Sequence, residues 1–195
     1  MNVYLDCGGH FGEGLRTFIQ KYNMDSSWEI HTWEPNPAAL FVLEKTVEEL
    51  RSPPNNLNIE LHRGAILDHE GYSDFSVQLN STGAGSIEKL MNAGACSDPN
   101  SESYRFHNTI IGVPCTDISK VISGFNISDR IIMKIDVEGS EFKILRKLIS
   151  DGLANRISDI YIEWHDIYMT SETPESRNEI IAQLNNAGVI SHIWG

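Results

Sequence analysis

Val3-Tyr4-Leu5-Asp6-Cys7-Gly8-Gly9-His10-Phe11-Gly12-Glu13-Gly14 is the stretch that decides the fold. Val3 to Cys7 reads as an apolar strand and the glycines as a sharp turn. Phe11, Leu15, Phe18, Ile19 and Tyr22 then recur at helical spacing, which predicts a helix from about Glu13 to Tyr22. Glycines let the backbone approach a ligand closely, and the start of a helix offers unpaired N–H groups, so such a junction is where α/β folds hold nucleotide-like cofactors. A tight turn without a ligand leaves the same trace, which makes a second signal necessary. Glu34 supplies it by closing the next apolar run, Ile30-His31-Thr32-Trp33. It lies roughly 20 residues beyond the glycines, the spacing at which a βαβ unit delivers a carboxylate to ribose hydroxyls.

Working outward, Asn36 can cap and Pro37 can open a second helix, carried by Leu40, Leu43, Val47 and Leu50 and stopped by Ser52-Pro53-Pro54. Leu57 to Leu67 reads as one third strand with a turn at its end, and Phe75 to Leu79 as a half-exposed hairpin strand. From about 80 to 108 the chain is rich in Ser, Gly and Asn, and is expected to be a polar excursion or lid. Thr109 to Val113 is a strand, with Thr116 or Asp117 as the cap of the helix that follows. Ile131 to Ile135 is apolar enough to be a central strand covered on both faces. A helix through Phe142, Leu145, Leu148 and Ile149, a strand from Ile160 to His165, a helix opened by Thr173-Pro174 and a strand from Ile190 to Trp194 complete the pattern. Alternating strands and helices predict an α/β fold with a mainly parallel central sheet and helices on both faces.

A length of 195 residues suits a single domain over 1–195, and an apolar content of 41% suits an ordinary globule. No run approaches the ~20 apolar residues of a membrane span, and the chain enters its first strand with no basic and apolar leader. A cytoplasmic location is therefore expected. Cys7, Cys96 and Cys115 are too few and too scattered for a disulfide framework. The formal charge of −12 argues against a nucleic-acid partner, because that affinity comes mainly from Lys and Arg on phosphates.

Three segments at predicted strand ends, Asp6 to Gly12, Trp33-Glu34-Pro35-Asn36-Pro37, and Lys134-Ile135-Asp136-Val137-Glu138-Gly139-Ser140-Glu141, together resemble the FkbM-type family of S-adenosylmethionine-dependent methyltransferases. Gly64 to Asp68 and Ile162 to His165 look like two weaker family segments. The family's first motif usually reads D-x-G-A-N-x-G, and here Gly9 and His10 stand where Ala and Asn are common. The resemblance implies a Rossmann-like class I methyltransferase fold, S-adenosylmethionine as cofactor with S-adenosylhomocysteine as product, and O-methylation of a sugar or other small-molecule hydroxyl. It places the cofactor against Asp6, Gly8, Gly9, His10, Gly12, Glu34, Ala65, Ile66 and Asp136. Methyl transfer to a hydroxyl needs the acceptor aligned and its proton removed. His165 is the expected base with Asp136 beside it, and Asp136, Glu163 and His165 offer oxygen and imidazole donors for a divalent metal. Two other readings stay open: a cofactor-binding module of the same fold without turnover, and a nicotinamide-dependent oxidoreductase. The second lacks a G-x-G-x-x-G in the first turn.

Overall fold

The structure, a computed structural model, describes residues 1–78, 85–87, 108–169 and 171–195. In chain order its strands are β1 (Asn2–Cys7), β2 (Trp28–Trp33), β3 (Asn58–His62), β4 (Ala65–Leu67), β5 (Gly71–Gln78), β6 (Gly85–Ser86), β7 (Asn108–Asp117), β8 (Arg130–Ile135), β9 (Ile157–Ile162) and β10 (Ile190–Ile193). The helices are α1 (Glu13–Tyr22), α2 (Pro37–Arg51), α3 (Ile118–Gly124), α4 (Glu141–Ser150) and α5 (Pro174–Asn186). Six strands form one sheet in the order β10-β9-β8-β1-β2-β3, with every neighbouring pair parallel.

Alternation along the strands divides the core. Val3, Leu5, Ile131, Met133 and Ile135 point to the face covered by α3, α4 and α5. Tyr4, Ile30, Ile59 and Ile132 point to the face where α1 and α2 bury Leu15, Phe18, Leu43 and Val47. Local chemistry sets the helix starts. The Asn36 side chain accepts from Ala38 N at 3.1 Å with Pro37 opening α2, and Asp117, rather than Thr116, caps α3 by accepting from Ser119 N at 2.8 Å. Thr173 and Ser176 form a reciprocal capping box at α5.

Two sequence expectations are corrected. The run from Leu57 to Leu67 is two strands. β3 ends at His62, and β4 leaves the main sheet to pair with β7, because Gly64 packs so tightly against the Pro114 carbonyl that a Cβ there would lie 2.4 Å from it. β4, β7, β5 and β6 form a second sheet in that order, mixed in direction. The run expected as a strand to His165 stops at Ile162, and His165 leads into a short 3-10 turn at Asp166–Tyr168. Of the segment 80–108 expected as a lid, 85–87 and the first residue of β7 are described; the remainder lies outside the described residues, as does Cys96.

An aromatic cluster locks α1 to the sheet. The Phe18 ring, fully buried, stands 5.1 Å from Tyr4, 4.7 Å from Tyr161 and 5.1 Å from Trp194. Phe18→Ala is expected to lower unfolding free energy by about 3–5 kcal/mol, the transfer loss plus the cavity left behind. Urea unfolding monitored by circular dichroism checks it, with the midpoint falling and the slope unchanged.

Candidate functional site

Strand register brings the first candidate side chains together. Asp6 stands opposite Thr32 on β2 and Lys134 on β8, so the three lie abreast on one face of the sheet. Thr32 Oγ1 donates to Asp6 Oδ2 at 2.9 Å, and Lys134 Nζ lies 3.3 Å from Asp6 Oδ1. Two residues past Lys134 the chain places Asp136, whose Oδ2 is also 3.3 Å from Nζ, and the ammonium donates to the Gly8 carbonyl at 2.7 Å. Burial pushes the Asp6 carboxyl up, against the pull of Lys134 and Thr32. Burial alone would lower Lys134, but the two aspartates outweigh it and hold the amine above its ordinary value.

The glycine turn is held by contacts that leave no room for side chains. Gly8 has φ +95°, and a Cβ there would fall 1.8 Å from the Asp136 carbonyl oxygen. A Cβ on Gly9 would lie 2.4 Å from Thr32 Oγ1 and 2.7 Å from Leu43 Cδ2. His10 follows at φ +48°, and its N–H donates to Glu34 Oε2 at 2.7 Å. Glu34 Oε1 accepts from Asn36 N at 2.7 Å, so this carboxylate ties the first turn to the second helix. It is 6% exposed, and burial pushes its pKa up to about 7 despite both backbone hydrogen bonds.

These elements enclose a cavity of about 530 Å³ at the C-terminal ends of β1, β2 and β8. Of the residues expected at a cofactor, Gly8, Gly9, His10, Glu34, Ala65, Ile66 and Asp136 line it together. Asp6 and Gly12 do not. Asp6 is wholly buried and pairs with Lys134, and Gly12 precedes α1 against Thr46 and Leu43. Sequence reasoning missed Phe75 and Gly85 of the second sheet, Ile87 just after β6, and Trp194 beyond β10. No local pattern marks them, since only tertiary packing turns them toward the cavity.

Asp136, Glu138 and Glu163 line the far end. Burial raises the Glu138 carboxyl, and Glu163 is raised by burial and then by Asp136. Glu138 sits at φ +53°, a left-handed conformation that is strained for a long side chain. His165, expected as the base, stands behind this lining and is 5% exposed. Its Nδ1 is 2.8 Å from Glu141 Oε1, and its Nε2 lies 3.5 Å from Glu138 Oε2 and 4.0 Å from Glu163 Oε1. Burial lowers the imidazole, but Glu141, Glu138 and Asp136 more than offset it and bring the pKa to about 9. Glu141 is fully buried and also accepts from Val137 N and Gly139 N, which fixes the turn after β8. Asp136, Glu138 and His165 present donor atoms within 4.8 Å of one another, so Glu138 takes the place expected for Glu163 in a possible cation set.

The glycine turn, the buried Glu34 and the acidic turn after β8 all fall within residues 6–189, which match the family model of the Methyltransferase FkbM domain. The chain belongs to the FkbM methyltransferase family. Its fold is similar to that of a crystal structure of methyltransferase FkbM from Methylobacillus flagellatus KT, with a TM-score of 0.53 and 13% sequence identity. The similarity covers 93% of this chain and 38% of that one, so the chain spans well under half the length of that relative. No match was found among curated proteins. Among the described residues no helix is long and apolar enough to cross a membrane. The two departures from the usual FkbM turn have local causes. Thr32 and Leu43 occupy the space an alanine at position 9 would need, and the left-handed backbone at His10 is one that Asn and His both tolerate.

The His165 pair makes stability depend on pH in a defined direction. Its folded pKa of about 9 lies above the ordinary imidazole value of 6.5, so its stabilisation is complete below pH 6.5 and is lost as pH rises through 9. Relative to His165→Gln, the wild type is expected to lose on the order of 1–3 kcal/mol between those limits. Parallel urea titrations of both proteins across the range measure that difference.

Proposed function

We propose that this chain transfers a methyl group from S-adenosylmethionine to a hydroxyl of a small molecule, with a sugar as the favoured acceptor class. The observation that carries the reading is Glu34. Each of its oxygens accepts a single backbone N–H, so a carboxylate with room for about four donors keeps a free site on both, as a ribose diol requires. The wall formed by Ala65, Ile66 and Phe75 is apolar and suits a purine. At that end two carboxylates, Asp6 and Asp136, share one ammonium, which leaves a net negative field beside the glycine turn and favours a cationic ligand group. The cavity also falls in the size range of small-molecule sites.

Bound S-adenosylmethionine would supply an electrophilic methyl group on a sulfonium. The protein's part is to position and to move a proton. Lys134 fixes Asp136 and the Gly8 carbonyl relative to each other, so the acceptor meets a preset wall. Asp136 accepts the hydroxyl proton, with Glu138 and Glu163 beside it. Burial raises both of those neighbours, so each is a carboxyl that could take over the proton if Asp136 is removed. His165 acts through Glu138, as a cation that holds the strained turn in place.

The test is calorimetry with S-adenosylhomocysteine and NAD in parallel, followed by labelled methyl transfer to a panel of sugars and small hydroxyl compounds. S-adenosylhomocysteine should bind and NAD should not; the reverse result would point to the oxidoreductase reading, and binding without transfer to any acceptor to the non-catalytic module. Glu34→Ala should weaken S-adenosylhomocysteine binding by about 1–3 kcal/mol, the cost of charge-assisted hydrogen bonds left unmade. Because the charged form of Glu34 accepts the hydroxyls, wild-type affinity should strengthen as pH rises through about 7. Asp136→Asn should lower turnover by roughly 10²–10⁴-fold. Unchanged turnover in that variant would move proton acceptance to Glu138 or Glu163.

A further inference from the structure

A second group of donors lies on β2 and β3, away from the glycine turn and on the opposite face of the sheet from α1 and α2. His31 and Glu60 are register partners on the two strands, and His62 is two residues beyond Glu60 on the same face. His31 Nδ1 is 3.0 Å from His62 Nε2 and 3.6 Å from Glu60 Oε2, and the three residues present donor atoms within 4.8 Å of one another. Two nitrogens bound to one tetrahedral ion at ~2.0–2.1 Å stand roughly 3.3 Å apart. The imidazoles therefore need to separate only slightly to admit one.

Three further features favour an ion here over a simple imidazole pair. His31 Nε2 lies 2.9 Å from Glu29 Oε1, so the outer ring nitrogen has a carboxylate to donate to and Nδ1 is left with its lone pair directed at His62 and Glu60. A carboxylate behind a histidine in this way is the usual outer support of a metal ligand. Ring stacking fixes the planes: His62 lies 4.3 Å from Trp33 at 8° and 5.3 Å from His31 at 16°. The donors also border a concavity of about 430 Å³ lined by Glu29, His31 and His62, which gives solvent and ions a way in. Glu60 and Glu29 supply two negative charges against a divalent cation, and the side chain of Glu60, 64% exposed, is free to swing into coordination.

We propose that His31, His62 and Glu60 bind a late first-row divalent cation of the Zn²⁺ type, with Glu29 as the outer support of His31. Two imidazoles and one carboxylate suit Zn²⁺, Co²⁺ or Ni²⁺ and not the oxygen-preferring Mg²⁺. β3 is the edge strand of the main sheet, so the ion would clamp that edge to β2 across two strands.

The experiment uses chelator-stripped, untagged full chain titrated with Co²⁺, whose visible bands report coordination geometry, and then with competing Zn²⁺. A single saturable equivalent displaced by Zn²⁺ is expected. His62→Ala and Glu60→Gln should each abolish it, and Glu29→Gln should weaken it about 10–100-fold. Glu138→Gln, in the separate acidic cluster of the cavity, should leave it unchanged. Circular dichroism checks that His62→Ala folds; if it does not, the exposed Glu60→Gln decides. Absence of saturable binding, binding that survives these ligand variants, or binding lost in Glu138→Gln would overturn the proposal.

Discussion

One buried ammonium holds the site together. Lys134 sits in a position from which water is excluded, and an isolated charge there would cost several kcal/mol. It is tolerated because register supplies Asp6 directly beside it, chain direction supplies Asp136 two residues later, and the Gly8 carbonyl accepts its third contact. The same arrangement brings the turn after β1 against the turn after β8, with Gly8 backed onto the Asp136 carbonyl. Removing the ammonium would leave two carboxylates facing each other in a low-dielectric space, so the cavity and the sheet centre depend on the same ion group.

The features that could be read from the sequence are those set locally. The helix starts were legible because Asn36, Asp117 and Thr173 each bond a backbone N–H two or three residues ahead, and such bonds need no distant partner. Glu34 and the glycines were legible because the βαβ unit fixes their spacing. The strand at Leu57 to Leu67 was misread because alternation cannot say which neighbour a strand will pair with, and β4 chose β7. β9 ends three residues before His165, so strand alternation does not set where the Glu163 and His165 side chains point. The short contact of His165 is with Glu141, a residue in the first turn of α4 that no sequence spacing ties to it.

Two non-glycine residues, His10 and Glu138, adopt left-handed backbone at the ends of the two central strands. Each is held by contacts from outside its own turn. His10 is held through its N–H on Glu34, and Glu138 through its carbonyl, which accepts from Ser86 Oγ, and through His165. Strain of this kind costs about 1–3 kcal/mol and persists only where surrounding structure over-determines it. Both residues line the cavity, so two of the four described non-glycine residues with left-handed backbone sit where side-chain placement matters most.

The apolar wall of the cavity belongs to a sheet that shares no described strand with the sheet carrying Glu34, Lys134 and Asp136. Phe75 and Ile87 take no part in the described ladders of the main sheet, so replacing either changes the shape of that wall without removing a pairing there. Part of the cavity's shape is in this way set apart from the placement of charge, with the Ser86–Glu138 hydrogen bond as a described link between the two. A lineage built on this scaffold can alter what fits while keeping unchanged the ion group that makes the scaffold stand.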